Sequence, residues 1–285
     1  MPQRHHPKSP PRIDAHHHVW RLARGDYGWL TPDSGAIYRD YDIADLKPFV
    51  DEAGITGTVL VQAAPTEAET EYMLARAKAS GGLVKGVVGW VDMAAKDAPA
   101  HVARLAKQPL LRGLRPMIHD IPDPDWMLEP ALDPAFAAIV EHDLRFDALV
   151  RPMHLPRLLR LADWHPGLQF VVDHAAKPDI ARGAFAPWAR DITQLARNTA
   201  CLCKISGLVT EAGPHWKVDH LRTYVDHLLD VFGPGRLIWG SDWPVVDKAG
   251  GYEAWWAATG TLLSHLSADD HNRILGGNAI SFYRL

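Results

Sequence analysis

Ile13-Asp14-Ala15-His16-His17-His18-Val19-Trp20 is the first apolar segment of the chain, and it carries three consecutive histidines. In an extended strand successive side chains take opposite faces, so His16 and His18 share one face while His17 takes the other. Two imidazoles about 6–7 Å apart along one strand can hold a metal together or polarise one substrate oxygen. A histidine-rich tract is also a common surface feature, and His5 and His6 lie just upstream in a proline-rich leader. The chain that follows separates the two readings.

Downstream, short apolar runs alternate with helical spacing. After a first strand over 12–18 come strands at 57–62, 84–91, 110–116, 146–150, 168–174, 201–206 and 237–242. Helices are expected at 43–53 with Asp42 as cap, at 67–80 capped by Thr66, and at 98–107. Further helices fall at 134–143 with Pro134 in the first turn, then at 156–164, 188–197 and 221–232, with one or two closing helices over 252–285. The strands lack clean polar–apolar alternation, as in a parallel sheet covered on both faces. Eight strand–helix units in about 250 residues predict an α/β fold, a single-domain (β/α)8 TIM barrel over 12–285. Residues 1–11, rich in proline, read as a disordered arm. An open doubly wound sheet is the alternative, but no Gly-x-Gly-x-x-Gly follows the first strand.

Composition narrows the function classes. The chain has 285 residues, 47% hydrophobic and 22% charged, and a net charge of −4. That balance offers no field for nucleic acid or an anionic membrane, and no apolar run reaches the roughly 20 residues of a membrane helix. The leader lacks an apolar core, so it is no secretory signal. Cys201 and Cys203, two apart in one strand, read as reduced core thiols, which fits a cytoplasmic protein. A small-molecule substrate is the expected partner, with room for a homo-oligomer.

In such a barrel the reacting groups stand at the C-terminal ends of the strands. Polar residues collect there: His16 and His18, Gln62, Trp90 and Asp92, Arg115, Arg151 and His154, Asp173-His174, Lys204 and Ser206, and Ser241-Asp242. Each alone has a structural explanation, as a buried histidine, a helix cap or a surface charge. Together they mark one rim.

Four stretches carry a resemblance: Ile13-Asp-Ala-His-His-His18, Val171-Val-Asp-His-Ala-Ala-Lys-Pro178, Cys203-Lys-Ile-Ser-Gly-Leu-Val-Thr-Glu-Ala212 and Trp239-Gly-Ser-Asp-Trp-Pro-Val245. They resemble the amidohydrolase superfamily (amidohydrolase-related family 2). Within it they resemble the sugar-lactonase branch, which includes enzymes opening L-fuconolactone, L-rhamnonolactone and 2-pyrone-4,6-dicarboxylate. Val61-Gln62-Ala63, Gly89-Trp90-Val91-Asp92 and Arg112-Gly113-Leu114-Arg115 are similar to that branch too. The resemblance implies that His16, His18, His174 and Asp242 form the catalytic set, and that the same four hold a metal if one binds. Strand five has no histidine of its own, so one divalent metal such as zinc, or none, is expected rather than a pair.

The implied activity is hydrolysis of a sugar-acid lactone, an aldonolactone such as L-fucono- or L-rhamnonolactone. Asp242 is the base for water, and it can return the proton to the leaving alkoxide. Zinc on the histidines, or direct hydrogen bonds from the histidines and Arg115, would polarise the carbonyl. Arg115, Arg151, His154, Gln62, Asp92, Trp90, Trp29 and Trp243 are the expected substrate-binding side chains, the tryptophans by stacking on a sugar ring. The loop over 117–128 is a candidate lid. Lys204, inside an apolar strand, needs a carboxylate, for which Glu211 is the candidate. A Schiff-base role would leave the His-x-His pair and Asp242 without work. Other readings are a zinc-dependent non-oxidative decarboxylase, a dicarboxylate (pyrone or muconolactone) lactonase, and a non-enzymatic barrel that binds a sugar acid.

Overall fold

The computed structural model describes residues 10–285, so nearly all of the expected 1–11 arm lies outside it. Eight parallel strands follow one another around a sheet in chain order. They are β1 (Ile13–His17), β2 (Gly57–Val61), β3 (Val84–Gly89), β4 (Leu111–Leu114), β5 (Arg145–Ala148), β6 (Phe170–Val172), β7 (Leu202–Ile205) and β8 (Leu237–Trp239). Between them run α1 (Ile43–Glu52), α2 (Glu67–Ala79), α3 (Ala98–Ala106), α4 (Asp133–Glu141), α5 (Leu155–Trp164), α6 (Phe185–Asn198), α7 (Leu208–Ala212) and α8 (Val218–Phe232). The expected (β/α)8 barrel is the observed fold. None of the helices is long and apolar enough to cross a membrane among the described residues.

Local chemistry sets the helix starts. The Asp42 carboxylate accepts from the Ile43 amide at 2.7 Å, and Thr66 Oγ1 accepts from Glu69 N at 3.1 Å, satisfying amides that a first turn leaves free. Two expectations need correction. The chain closes with three helices, α9 (Gly251–Leu262), α10 (Ala268–Asn272) and α11 (Asn278–Tyr283), joined by a π turn over Arg273–Gly277. The strands are also shorter than the apolar runs. Their last residues leave the ladder for irregular turns, such as Asp173–Ala176 after β6, and these turns carry the polar rim.

Closure lies beyond the end of β8. The Asp242 amide donates to the His16 carbonyl at 2.8 Å, and the His18 amide donates to Trp243 O at 2.7 Å. Gly240 lets the two chains meet, because a Cβ there would sit 2.6 Å from His16 Cβ and 3.0 Å from its nitrogen. Fully buried Asp14 ties the seam, its Oδ1 accepting from the Ser241 amide at 2.9 Å and the His16 amide at 3.2 Å. Burial raises its carboxyl to about 6.

Asp14→Ala would leave the Ser241 amide unpaired in the seam, at a cost of about 1–3 kcal/mol in urea-induced unfolding. A loss under about 0.5 kcal/mol would show that the backbone bonds alone close the barrel.

Candidate active site

Alternation along β1 places the histidines. His17 faces outward, its Nε2 paired with Thr58 Oγ1 at 2.9 Å, while His16 and His18 face the barrel mouth. His174 arrives on the turn after β6 and Asp242 just past β8. Both adopt left-handed backbone, with φ of 52° and 59°, which side-chain-bearing residues rarely do. Gly207 makes room for His174, since a Cβ there would lie 2.6 Å from its Nδ1.

Three Nε2 atoms converge on Asp242 Oδ1: His18 at 3.3 Å, His16 at 3.7 Å and His174 at 3.9 Å. All four side chains are buried. Burial pushes His174 down to about 3 and holds His16 well below the usual imidazole range. Burial alone would raise Asp242, but the facing imidazoles, His174 foremost, outweigh it and hold the carboxyl below its ordinary value. Asp242 is therefore ionised near neutrality.

A second buried cluster lies beneath. Lys204 Nζ is 2.6 Å from Asp147 Oδ2, 2.9 Å from Asp173 Oδ1 and 3.1 Å from His16 Nδ1. Asp173 Oδ2 takes Arg115 Nη1 at 3.2 Å, and the Tyr283 hydroxyl donates to Asp147 at 2.7 Å. Glu211 is not the lysine's partner as expected; it pairs with Lys177 at 2.6 Å. Asp147 escaped the sequence reading, although a carboxylate inside the apolar β5 is the kind of residue a buried lysine requires.

The site opens into a cavity of about 250 Å³ lined by His18, Arg115, His174 and Asp242, with Trp29 and Lys177 on its walls. His119, Asp120 and Lys248 also line it, and none of these three was in the expected substrate set. Other expected contacts have different partners. Gln62 holds Arg115, accepting from Nη2 at 2.9 Å and donating to the Arg115 carbonyl at 3.0 Å. His154 Nδ1 accepts from the Arg151 amide at 3.0 Å, and Arg151 Nε donates to His119 O at 3.1 Å. Trp243 is buried against Tyr41 and Phe49 rather than offered to a sugar. Trp90 and Asp92 line a neighbouring cavity instead.

Two triads have ligand atoms within 4.8 Å of one another, His16–His18–Asp242 and His16–Asp173–His174. The hydrogen bonds rank the members. His18 Nδ1 faces the Val61 carbonyl at 2.8 Å and must donate to it, which leaves a lone pair on Nε2 aimed at Asp242. Two facing lone pairs call for a proton or a cation between them. His174 Nδ1 is matched by Ser206 Oγ at 2.9 Å, so its Nε2 is equally available. His16 sits between two cationic groups, Lys204 at Nδ1 and Arg115 at Nε2, 3.3 Å away, and is the poorest ligand of the set.

An amidohydrolase family model matches residues 13–285. The chain belongs to the amidohydrolase family. This amidohydrolase is 47% identical to L-fucono-1,5-lactonase of Burkholderia ambifaria, with 96% of each chain covered. It is 33% identical to L-fucono-1,5-lactonase of Burkholderia multivorans, again over 96% of each. A crystal structure of an amidohydrolase from Burkholderia multivorans with bound zinc superposes with a TM-score of 0.91 at 32% identity, covering 96% of this chain and 99% of that one.

Lys204→Met in this amidohydrolase would leave Asp147 without its cation and Asp173 with Arg115 alone, lowering unfolding stability by about 3–5 kcal/mol. Adding Asp147→Asn should recover part of the loss, as read by urea denaturation of both variants. Equal stability of wild type and Lys204→Met would mean the cluster is not the buried ion network described.

Proposed function

We propose that this amidohydrolase opens an aldonolactone, such as L-fucono- or L-rhamnonolactone, with Asp242 activating the attacking water. The reading is carried by the convergence of three histidines on one ionised carboxylate at the floor of a cavity sized for a single small ring. That the chain is a lactonase, a hydrolase of carboxylic ester bonds, is supported by its 47% identity to a lactonase over nearly its whole length.

The lactone carbonyl lies toward the histidines and Arg115, with water between its carbon and Asp242. Asp242 takes the water proton as the C–O bond forms, and the oxyanion is stabilised by the Arg115 charge. Four of the five guanidinium hydrogens face Asp173, His16 and Gln62, which fixes the plane of Arg115, and Nε–H has no protein acceptor. When the tetrahedral carbon collapses, Asp242 returns the proton to the ring oxygen and the open hydroxy acid leaves. Lys177 and Lys248 on the wall favour the carboxylate product.

For a divalent cation such as zinc, His18, His174 and Asp242 are the fitting ligands, with His16 as a fourth. Such an ion would lower the pKa of water and polarise the carbonyl. Since a lactone is an activated ester, the side chains suffice for turnover without it. The decarboxylase reading gains nothing from the site: an aromatic acid would want an aromatic pocket, and only one indole, Trp29, lines this cavity. The two free, buried thiols support a cytoplasmic location.

Proton release at pH near 7 from a panel of aldonolactones, before and after chelator treatment, tests both proposals. Turnover should survive chelation, and abolition reversed by zinc would make the metal obligatory. Asp242→Asn should lose about a thousandfold in kcat, and full retention would remove the general base assignment.

A further inference from the structure

Beside the catalytic cavity lies a second of about 520 Å³, and the two share Trp29, Met117 and Asp120 as walls. By volume it falls within the range that engulfs a whole small molecule. An aldonolactone needs only the first cavity, so the second is unexplained by the reaction. Its chemistry differs too. The catalytic cavity carries Arg115, Lys177 and Lys248, whereas among the described residues no lysine, arginine or histidine lines its neighbour.

Three indoles do line it, Trp29, Trp90 and Trp126, together with the carboxylates Asp26, Asp92 and Asp120. Asp26 is taken up by Arg24 at 2.6 Å and Thr66 at 2.9 Å, and Asp120 faces His119 Nε2 at 3.0 Å, while exposed Asp92 accepts from the Ala94 amide at 3.1 Å through one oxygen and keeps the other as an acceptor. Indoles with carboxylate acceptors between them suit a pyranose ring, whose C–H faces are apolar and whose edge hydroxyls donate. Asp92, with no cation among the described lining residues, disfavours a carboxylate or phosphate group. A neutral sugar ring is therefore the ligand this lining selects.

We propose that this cavity is a subsite for a second, neutral sugar residue, so that lactones of glycosylated sugar acids are substrates. The proposal rests on the lactonase reading for its chemistry, since the bond cleaved is still the lactone ester and the glycosidic bond stays intact. The second ring lies over Trp126 and Trp90, reached past the Trp29–Met117–Asp120 wall, while the lactone ring stays over Asp242.

The test compares lactobionolactone, a hexosyl-gluconolactone, with gluconolactone on the full chain. The disaccharide lactone should show kcat/KM about tenfold higher, because remote binding energy is available to the transition state. Half-buried Trp126 can be changed without opening the core. Trp126→Ala should remove that advantage and leave gluconolactone turnover within about twofold, and Trp126→Tyr should restore it. A lower kcat/KM for lactobionolactone in the wild type, or equal losses on both lactones in Trp126→Ala, would overturn the subsite. The lactonase reading itself fails only if L-fuconolactone and L-rhamnonolactone are also left intact; if neither gluconolactone nor lactobionolactone is hydrolysed, calorimetric titration with lactobionate and gluconate still decides the subsite. Tighter binding of lactobionate, lost in Trp126→Ala, supports it; equal binding overturns it.

Discussion

An ammonium with no exposed surface stands at the centre of the barrel, and the groups of the candidate site are arranged around what it needs. Lys204 draws Asp147 from β5, Asp173 from the end of β6 and His16 from β1 to within 3.1 Å. Asp173 then fixes Arg115 from β4, and Arg115 in turn is clasped by Gln62 from β2. One buried cation thus joins five strands through side chains. A dry lysine is tolerable only when its hydrogens are met by acceptors of opposite charge, so the carboxylates cannot drift. The imidazole of His16 inherits that rigidity, and the distances of the other two histidines to Asp242 are set by the same scaffold.

Around this hub the barrel holds reactive residues in conformations they would not choose. His174 and Asp242 are both left-handed, and both follow strands cut short after three residues. Each is pinned by a bond from a neighbouring element, Asp242 through its amide to His16 O and His174 through Nδ1 to Ser206. The strain is sustained because the seam at Asp14, Ser241 and Gly240 closes the barrel on the same atoms. Barrel closure and the geometry of the candidate site therefore draw on one set of contacts.

Much of this was legible in the chain. Strand periodicity put His16 and His18 on one face and His17 on the other, and apolar runs ending in polar residues located the rim. Partners across the barrel were not legible. Which strand-five residue meets Lys204 depends on tilt and stagger around the sheet, not on spacing, so Asp147 was missed and Glu211 chosen in its place. Cavity walls were harder still. Gln62 and His154 have suitable side chains at suitable strand ends, yet backbone and arginine partners claim them. His119 and Lys248 reach the cavity from loops whose path no periodicity encodes.

The donors also decide what the space in front of Asp242 can accept. His18 is obliged by the Val61 carbonyl to turn a lone pair toward Asp242, which leaves a position suited to a proton or a cation. His16 is held differently, because Lys204 Nζ stands 3.1 Å from its Nδ1 and Arg115 Nη1 3.3 Å from its Nε2. A cation recruiting all three histidines would stand beside these two positive charges and meet their field. Asp242, kept ionised by its surroundings, faces that same space from the opposite wall of the seam.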